Sequence, residues 1–298
     1  MSHAVRVFQV DAFTHTRFAG NPAGVVLEAD GLEDAQMLAI ARELNNADTA
    51  FVFKPTALDH DIRVRFFTPR TEAAFVGHAT LAVHEVLSTH SPRAVCRQAG
   101  QSGIVEVTRL EQGRGFSIRQ SPPPLGRELG HAEILQVLAA LGLVESALDP
   151  LCPPRIAGAA STRLLLGLKA GTSLAGLTPN LTALASLSPV IGCAGYFLFS
   201  RSPTLPECQL ESRMFCPALG IPEDPVSGNA HGMLGLYLWS LGLLEVRDGQ
   251  AQFSGAQGHH LGRPGRVGIA LDVDAGGQCT AVHIRGQAVR IFETQIAL

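Results

Sequence analysis

Two glycines, Gly77 and Gly228, stand shortly before stretches that have a helical and almost wholly apolar pattern. The first turn of a helix presents unpaired backbone N–H groups and carries a partial positive charge. Because glycine lets a ligand approach those groups closely, such a turn is suited to binding an anion or a carboxylate. The sequence therefore predicts two candidate carboxylate sites in one chain.

The two glycines lie in matching segments, residues 65–87 and 213–239. Each segment reads as a short strand containing Phe and Pro, a loop with acidic residues, a glycine turn and an apolar helix. The segments begin 148 residues apart, about half of the 298-residue chain. Helix-start patterns at Asp30, with Glu33 completing a capping box, and at Thr178, which precedes a proline, have the same separation. This spacing predicts a duplicated fold.

The apolar helices, predicted at 79–87 and 232–244, have almost no polar face. A helix of this kind must be enclosed by other structure. If each half of the chain encloses one such helix, the two N-terminal ends can face one shared cleft, and we expect the chemistry there.

The remaining patterns repeat in the same order in each half. The first half has strands at 5–13, 23–27 and 49–53, an amphipathic helix at 32–44 and a hairpin at 103–120. Asp48 falls in the corner between this helix and the third strand. The second half has helices at 133–141 and 181–187, strands at 164–168 and 195–200, and a hairpin at 267–284.

A proline-rich stretch at 121–124 is the best candidate for a domain boundary. The last strand pattern, at 288–296, has no counterpart in the second half, so we expect it to pair with the first half. The predicted domains are therefore residues 1–120, completed by 288–298, and residues 121–287.

Composition points to a compact protein with a small-molecule ligand. Hydrophobic residues make up 46% of the chain and charged residues 16%, which excludes disorder. The net charge is −3 and no Lys or Arg cluster stands out, so nucleic-acid binding is not expected. No signal-peptide pattern or membrane-length apolar run appears, and we expect a cytoplasmic protein without membrane contact. The six cysteines lack metal-type spacing and are expected to be reduced thiols.

Several short motifs together resemble the PhzF-type phenazine-biosynthesis isomerase family, which has a diaminopimelate-epimerase-like fold. They occur in family order from residue 6 to the C-terminus. The motifs are D11-A-F, G20-N-P, the D48-T-A-F corner, G77-H-A-T and E223-D-P-V-S-G-N-A.

The resemblance implies an α+β fold of two pseudo-symmetric domains, each a curved and mostly antiparallel sheet wrapped around a central apolar helix. It also implies an isomerase that moves a proton within a small carboxylic acid bound in the interdomain cleft. No metal or organic cofactor is expected, and a homodimer is the family expectation.

By position, His78 and Asp224 match the family's catalytic histidine and aspartate, and Asp48 takes the place of its catalytic glutamate. A buried carboxylate with a raised pKa is suited to removing a proton from carbon, so Asp48 is predicted as the base. His78 and Asp224 then orient the substrate or share the proton. The predicted substrate-binding residues are Asn21, Gly77, Ser227, Gly228 and Asn229.

Two alternatives stay open at this point. Because Asp48 is one methylene shorter than glutamate, the chain could be a carboxylate-binding protein with weak or no catalysis. An amino-acid epimerase with the same fold is the third hypothesis. The thiol pair used by other branches of the fold is disfavoured, since Gly77-His78 and Ser227-Gly228 occupy the relevant positions.

Overall fold

The computed structural model describes residues 4–89, 93–111, 115–159, 161–203 and 207–298. The chain divides into two compact units. The first contains residues 1–120 and 284–298, and the second contains residues 121–283.

Regular elements alternate between strands and helices throughout the described chain. In the first 120 residues they are β1 (Ala4–Ala12), β2 (Asn21–Leu27), α1 (Asp34–Leu44), β3 (Asp48–Phe53), β4 (Ile62–Phe67), β5 (Glu72–Ala73), α2 (Gly77–Ser88), β6 (Val95–Gly100), β7 (Gly103–Arg109) and β8 (Phe116–Gln120). They continue with β9 (Leu125–Glu128), α3 (His131–Leu141), β10 (Arg155–Ala157), β11 (Arg163–Leu168), α4 (Leu181–Ile191), β12 (Gly195–Ser200), β13 (Leu210–Cys216), β14 (Ile221–Asp224), α5 (Gly228–Ser240), β15 (Val246–Arg247), β16 (Gln250–Gln257), β17 (Gly265–Val273), β18 (Cys279–Gly286) and β19 (Ala288–Ala297).

The first unit is a mostly antiparallel sheet with a helix on each face. Strand β1 lies between β2 and β19 and is antiparallel to both, while β2 and β3 are parallel. Successive side chains of a strand point to opposite faces. In β3, Ala50 and Val52 therefore pack in the cluster that contains α2, and Phe51 and Phe53 pack in the cluster that contains α1. This alternation places the mostly apolar helix α2 inside the unit.

The second unit follows the same plan. Strands β11 and β12 are parallel, and β12 is antiparallel to β13. One face of β12, with Tyr196 and Leu198, packs in the cluster that contains α3 and α4. The other face contacts α5, where Phe197 and Phe199 meet His231 and Tyr237 at centroid distances of 5.0 and 6.5 Å. The predicted α+β fold class with enclosed apolar helices is confirmed.

Both predicted start sites of the amphipathic helices are wrong by two or three residues. Helix α1 is capped at Glu33, whose N–H donates to Oε1 of Gln36 at 3.0 Å, and Asp30 lies before the cap. Helix α4 is capped at Asn180, whose Oδ1 accepts the Ala183 N–H at 3.0 Å, and Thr178 lies before it. In α4 the side chain of the cap accepts an N–H of the first turn, whereas in α1 the Gln36 side chain accepts the N–H of the cap residue.

The second central helix also begins earlier than its apolar run. Helix α5 starts at Gly228, whereas the pattern predicted 232–244. Its first turn contains the polar residues Asn229 and His231, so the predicted range, which followed the apolar residues alone, began after them. Within the described residues, no helix is long and apolar enough to cross a membrane.

Candidate functional site

Asp48 and Asn21 lie at the same end of two neighbouring parallel strands. Asn21 is the first residue of β2 and Asp48 the first of β3, and Asp48 pairs with Ala23. Asn21 is fully buried, and 13% of the Asp48 side chain is exposed. The parallel pairing therefore brings both polar side chains to the edge of the sheet at which these two strands begin.

His78 joins Asp48 at this edge. Nε2 of His78 lies 3.8 Å from Oδ2 of Asp48, which is an ion-pair distance but too long for a hydrogen bond. His78 is buried, and burial lowers its pKa to about 4. The imidazole is therefore neutral at pH 7, so the pair is a carboxylate beside an uncharged ring. Among the described residues, His78 Nε2 has no hydrogen-bond partner.

His78 lies in the first turn of α2. Helix α2 begins at Gly77, and no side chain caps it at Val76. The backbone N–H and the hydroxyl of Thr80 both donate to the carbonyl of Val76, at 3.0 and 2.9 Å. The earlier N–H groups of this turn, at Gly77 and His78, are thus left available as donors toward a ligand.

Two motif residues near Asn21 have structural roles. The carboxylate of Asp11 accepts the N–H of Phe18 at 2.7 Å and so fixes the loop that leads into β2. Gly20 has a φ of +62°, and a Cβ there would lie 2.1 Å from the carbonyl oxygen of Ala12. Only glycine fits this position, which explains the residue before Asn21.

In the second unit, Asp224 and Ser227 bracket the turn into α5. Asp224 ends β14, and Ser227 is the N-cap of α5, where its hydroxyl accepts the Ala230 N–H at 3.3 Å. Gln257 holds both ends of this turn. Its amide donates to the Asp224 carbonyl at 2.7 Å and accepts the Ser227 N–H at 3.0 Å.

None of the sequence motifs identified Gln257. It is the last residue of β16 and is 1% exposed. The partners lie about 30 residues away in the chain, so no local pattern identifies this contact.

Gly228 and Asn229 open α5 as Gly77 and His78 open α2. Oδ1 of Asn229 is buried and has no hydrogen-bond partner among the described residues. Buried polar atoms are almost always paired with protein, water or a ligand. Asn229 therefore presents an amide oxygen that a substrate donor could satisfy.

His231, in the same turn of α5, is a packing residue. It is fully buried, its Nδ1 lies 2.7 Å from the Ser227 carbonyl, and its Nε2 lies 3.3 Å from the Ser212 hydroxyl. Burial lowers its pKa to about 4. A Cβ at Gly255 would lie 2.6 Å from the ring, so a glycine is required opposite it.

An arginine–glutamate pair supports each glycine turn. Arg65 binds Glu72 through two hydrogen bonds of 2.8 and 2.7 Å, and Arg213 binds Glu223 with the same two distances. Each guanidinium also lies over the ring two residues on, Phe67 or Phe215. The duplicated segments therefore share a bidentate ion pair as well as a pattern.

Within the described ranges, no three His, Cys, Asp or Glu side chains are placed to hold a metal ion. All six cysteines are free thiols, four of them buried. Cys216 lies on β13, where burial raises its pKa to about 12.

Comparison with known proteins places the chain in a family. The profile of the PhzC-PhzF family, phenazine biosynthesis-like protein, matches residues 10–294. An uncharacterised isomerase of Salmonella typhimurium, YddE, is 38% identical over 98% of each chain. The trans-2,3-dihydro-3-hydroxyanthranilate isomerase of Pseudomonas chlororaphis is 32% identical over 97% of this chain and 98% of its own. A PhzF-family crystal structure from Bacillus anthracis has a TM-score of 0.88 at 26% identity, covering 99% of this chain and 100% of that one.

The fold and the matches define an isomerase. The chain belongs to the phenazine biosynthesis-like PhzC-PhzF family.

Proposed function

We propose that the protein is a cofactor-independent isomerase that moves a proton within a small carboxylic acid, with Asp48 as the base. The observation that carries the proposal is the buried pair at the start of α2, with Asp48 Oδ2 3.8 Å from an uncharged His78. A carboxylate with little access to water, beside a ring that can donate or accept one hydrogen bond, is suited to proton transfer at carbon.

In the proposed reaction, the Asp48 carboxylate takes a hydrogen from a carbon of the substrate as a proton. The electron pair of that C–H bond moves into the conjugated system of the substrate. The proton then returns to a different carbon of the same molecule, so that atoms and charge balance. Asp48 and His78 lie close enough for both to contact one substrate group that approaches from the side, and long catalytic contacts of this kind tighten when the substrate binds.

The substrate carboxylate is proposed to bind the free N–H groups of the first helical turns. Gly77 and Gly228 admit a ligand to the N-termini of α2 and α5, where preorganised donors stabilise negative charge. Asn21, Ser227 and Asn229 are proposed to bind the remaining polar groups, and Asp224 to orient the substrate or share the proton. A binding protein with the same residues but no turnover is the second candidate, because Asp48 is shorter than the family's glutamate.

The test is an isomerisation assay on a panel of cyclic hydroxy and amino acids that includes trans-2,3-dihydro-3-hydroxyanthranilate, the compound named for the Pseudomonas relative. Asp48→Asn keeps the shape but cannot accept the proton, so we expect the rate to fall by about 10²–10⁴-fold. Glu106→Gln, an exposed acid on β7, is the control and should leave the rate unchanged.

Calorimetry of the same compounds with the wild-type protein and these variants measures binding, and it separates the two candidate functions. An isomerase turns over a compound that it binds, and Asp48→Asn still binds it. Binding without turnover in the wild-type protein, across the whole panel, would support the binding protein instead.

A further inference from the structure

A second cavity lies at the C-terminal half of α2, away from the proposed active site. Its volume is about 270 Å³. Ile62, Leu87, Val107 and Phe116 give it apolar walls, and His84 and Arg109 contribute nitrogen groups. None of the proposed substrate or catalytic residues lines it. His84 is six residues after His78, which is roughly 9 Å along the helix.

The hydrogen bonds of His84 determine which ring nitrogen carries a proton. The Thr80 hydroxyl donates to the Val76 carbonyl at 2.9 Å, so it accepts from the Gln98 amide nitrogen at 3.3 Å. The amide oxygen of Gln98 then faces Nε2 of His84 at 3.1 Å and must accept a hydrogen bond from it. Nε2 of His84 is therefore the donor, and Nδ1 is left with a lone pair.

His84 is thus a buried acceptor at the cavity wall. The residue is only 5% exposed, and burial lowers its pKa to about 4, so the ring stays neutral. Its contact with Gln98 is the one hydrogen bond that the ring makes with the described residues. An acceptor in such a place favours a ligand that brings an O–H or N–H donor.

Among the charged groups around the cavity, Arg109 is the cation that is available to bind an anion. Asp61 is paired with Arg93 and also accepts the Arg97 N–H at 2.8 Å. Arg109 is exposed and forms no ion pair with the described acids. Arg109 interacts electrostatically with Glu85 and helps to lower its pKa against the effect of burial. Cys96, which also lines the cavity, is a neutral thiol because burial raises its pKa to about 11.

We propose that this cavity is a second ligand site, which binds a single-ring organic acid carrying a hydroxyl or amine. The ring packs against the apolar walls, the hydroxyl or amine donates to His84 Nδ1 at the buried end, and the carboxylate meets Arg109 at the exposed end. The volume suits a substituted ring, because an apolar cavity of about 150 Å³ already holds benzene. The site stands on its own contacts and does not depend on the proposed isomerase reaction.

The test uses 4-hydroxybenzoate as the probe and the ¹⁵N resonances of His84 as the readout. We expect the Nδ1 resonance to move on titration, because the probe hydroxyl donates to it. Benzoate, which lacks the donor, and phenol, which lacks the charge, should bind more weakly. Arg109→Gln should weaken binding by about tenfold, since a charge-assisted hydrogen bond is lost. Ala94→Trp, on the exposed rim, should fill the cavity and abolish the shift.

Arg119→Gln is the matched control, since Arg119 is an exposed cation on the next strand that does not line the cavity. It should bind the probe as the wild-type protein does. Because the readout is the resonance of His84, the experiment distinguishes binding in this cavity from binding of the probe near His78. An unmoved His84 resonance at saturating probe, or equal affinities in Arg109→Gln, Ala94→Trp and wild-type protein, overturns the proposal.

Discussion

At the scale of single residues, local motifs predict the positions of Asp48 and His78 but not the residues and contacts that support the site. Asp48 follows a helix and His78 follows a glycine, so both positions can be predicted from the sequence. The pKa of His78 is lowered by its burial in the folded protein, which no motif encodes. Gln257 is a similar case, because its two hydrogen bonds reach back about 30 residues.

Replacing Gln257 by Leu should impair both stability and turnover. The substitution keeps the approximate size but removes the hydrogen bond to the Asp224 carbonyl and leaves the Ser227 N–H without its Gln257 partner. Leaving buried polar groups unsatisfied costs about 1–3 kcal/mol of unfolding free energy. We expect a lower melting temperature and, because the turn that carries Asp224 is released, a lower kcat.

Gln252→Leu is the control for this prediction, since Gln252 is exposed on the same strand. Gln252→Leu should change neither the melting temperature nor kcat. A Gln257→Leu protein with wild-type melting temperature and kcat would show that the two hydrogen bonds do not position the turn.

At the scale of elements, the sequence predicted most strands and helices because their periodicity is local. Strand β12, at Gly195–Ser200, has the predicted bounds. Helix starts were less accurate, since Glu33 and Asn180 compete as caps with Asp30 and Thr178, and the fold decides between them. The ion pairs behind the two glycine turns could not be predicted either, because pairing within the turn depends on strand register.

The two ion pairs differ in burial, and the difference predicts unequal costs. Arg213 and Glu223 have side chains 8% and 10% exposed, against 22% and 29% for Arg65 and Glu72. Glu223→Gln leaves a buried guanidinium without its countercharge, which should cost on the order of 3 kcal/mol. Glu72→Gln should cost about 1 kcal/mol or less, since Asp34 also binds Arg65 and water screens the pair.

Urea unfolding of both variants measures these costs directly. Equal losses of unfolding free energy in Glu223→Gln and Glu72→Gln would contradict the argument from burial.

At the scale of the whole molecule, the half-length repeat was visible in the sequence, and the two copies have specialised differently. By strand register and helix start, Asp48 corresponds to Gly195, and His78 to Asn229. A Cβ at Gly195 would lie 2.4 Å from the Cys216 sulfur, so no acid fits there. Asp224, which ends β14, is the acid that we propose for the second copy. Each copy thus keeps the glycine turn and places one acid differently.

Three buried histidines should make stability depend on pH. His78, His84 and His231 each have a pKa lowered to about 4 by burial. The unfolded chain binds these protons near pH 6.5, so the folded state loses stability as the pH falls from about 6.5 toward 4. The slope is on the order of 1 kcal/mol per pH unit for each histidine.

Urea unfolding between pH 6.5 and 5 measures this slope, since carboxylates titrate mainly below that range. His231→Gln should reduce the slope, whereas His131→Gln, at an exposed position, should not. A stability that stays constant across this range would contradict the assignment of three neutral buried rings.

The most direct test of the central claim, proton transfer by Asp48, is hydrogen exchange from solvent into the substrate. Wild-type protein in D₂O should place deuterium on a carbon of the converted substrate, as detected by mass spectrometry and NMR. Asp48→Asn should abolish this incorporation while still binding the compound. Incorporation that continues undiminished in Asp48→Asn and in Asp224→Asn would contradict the proposed base.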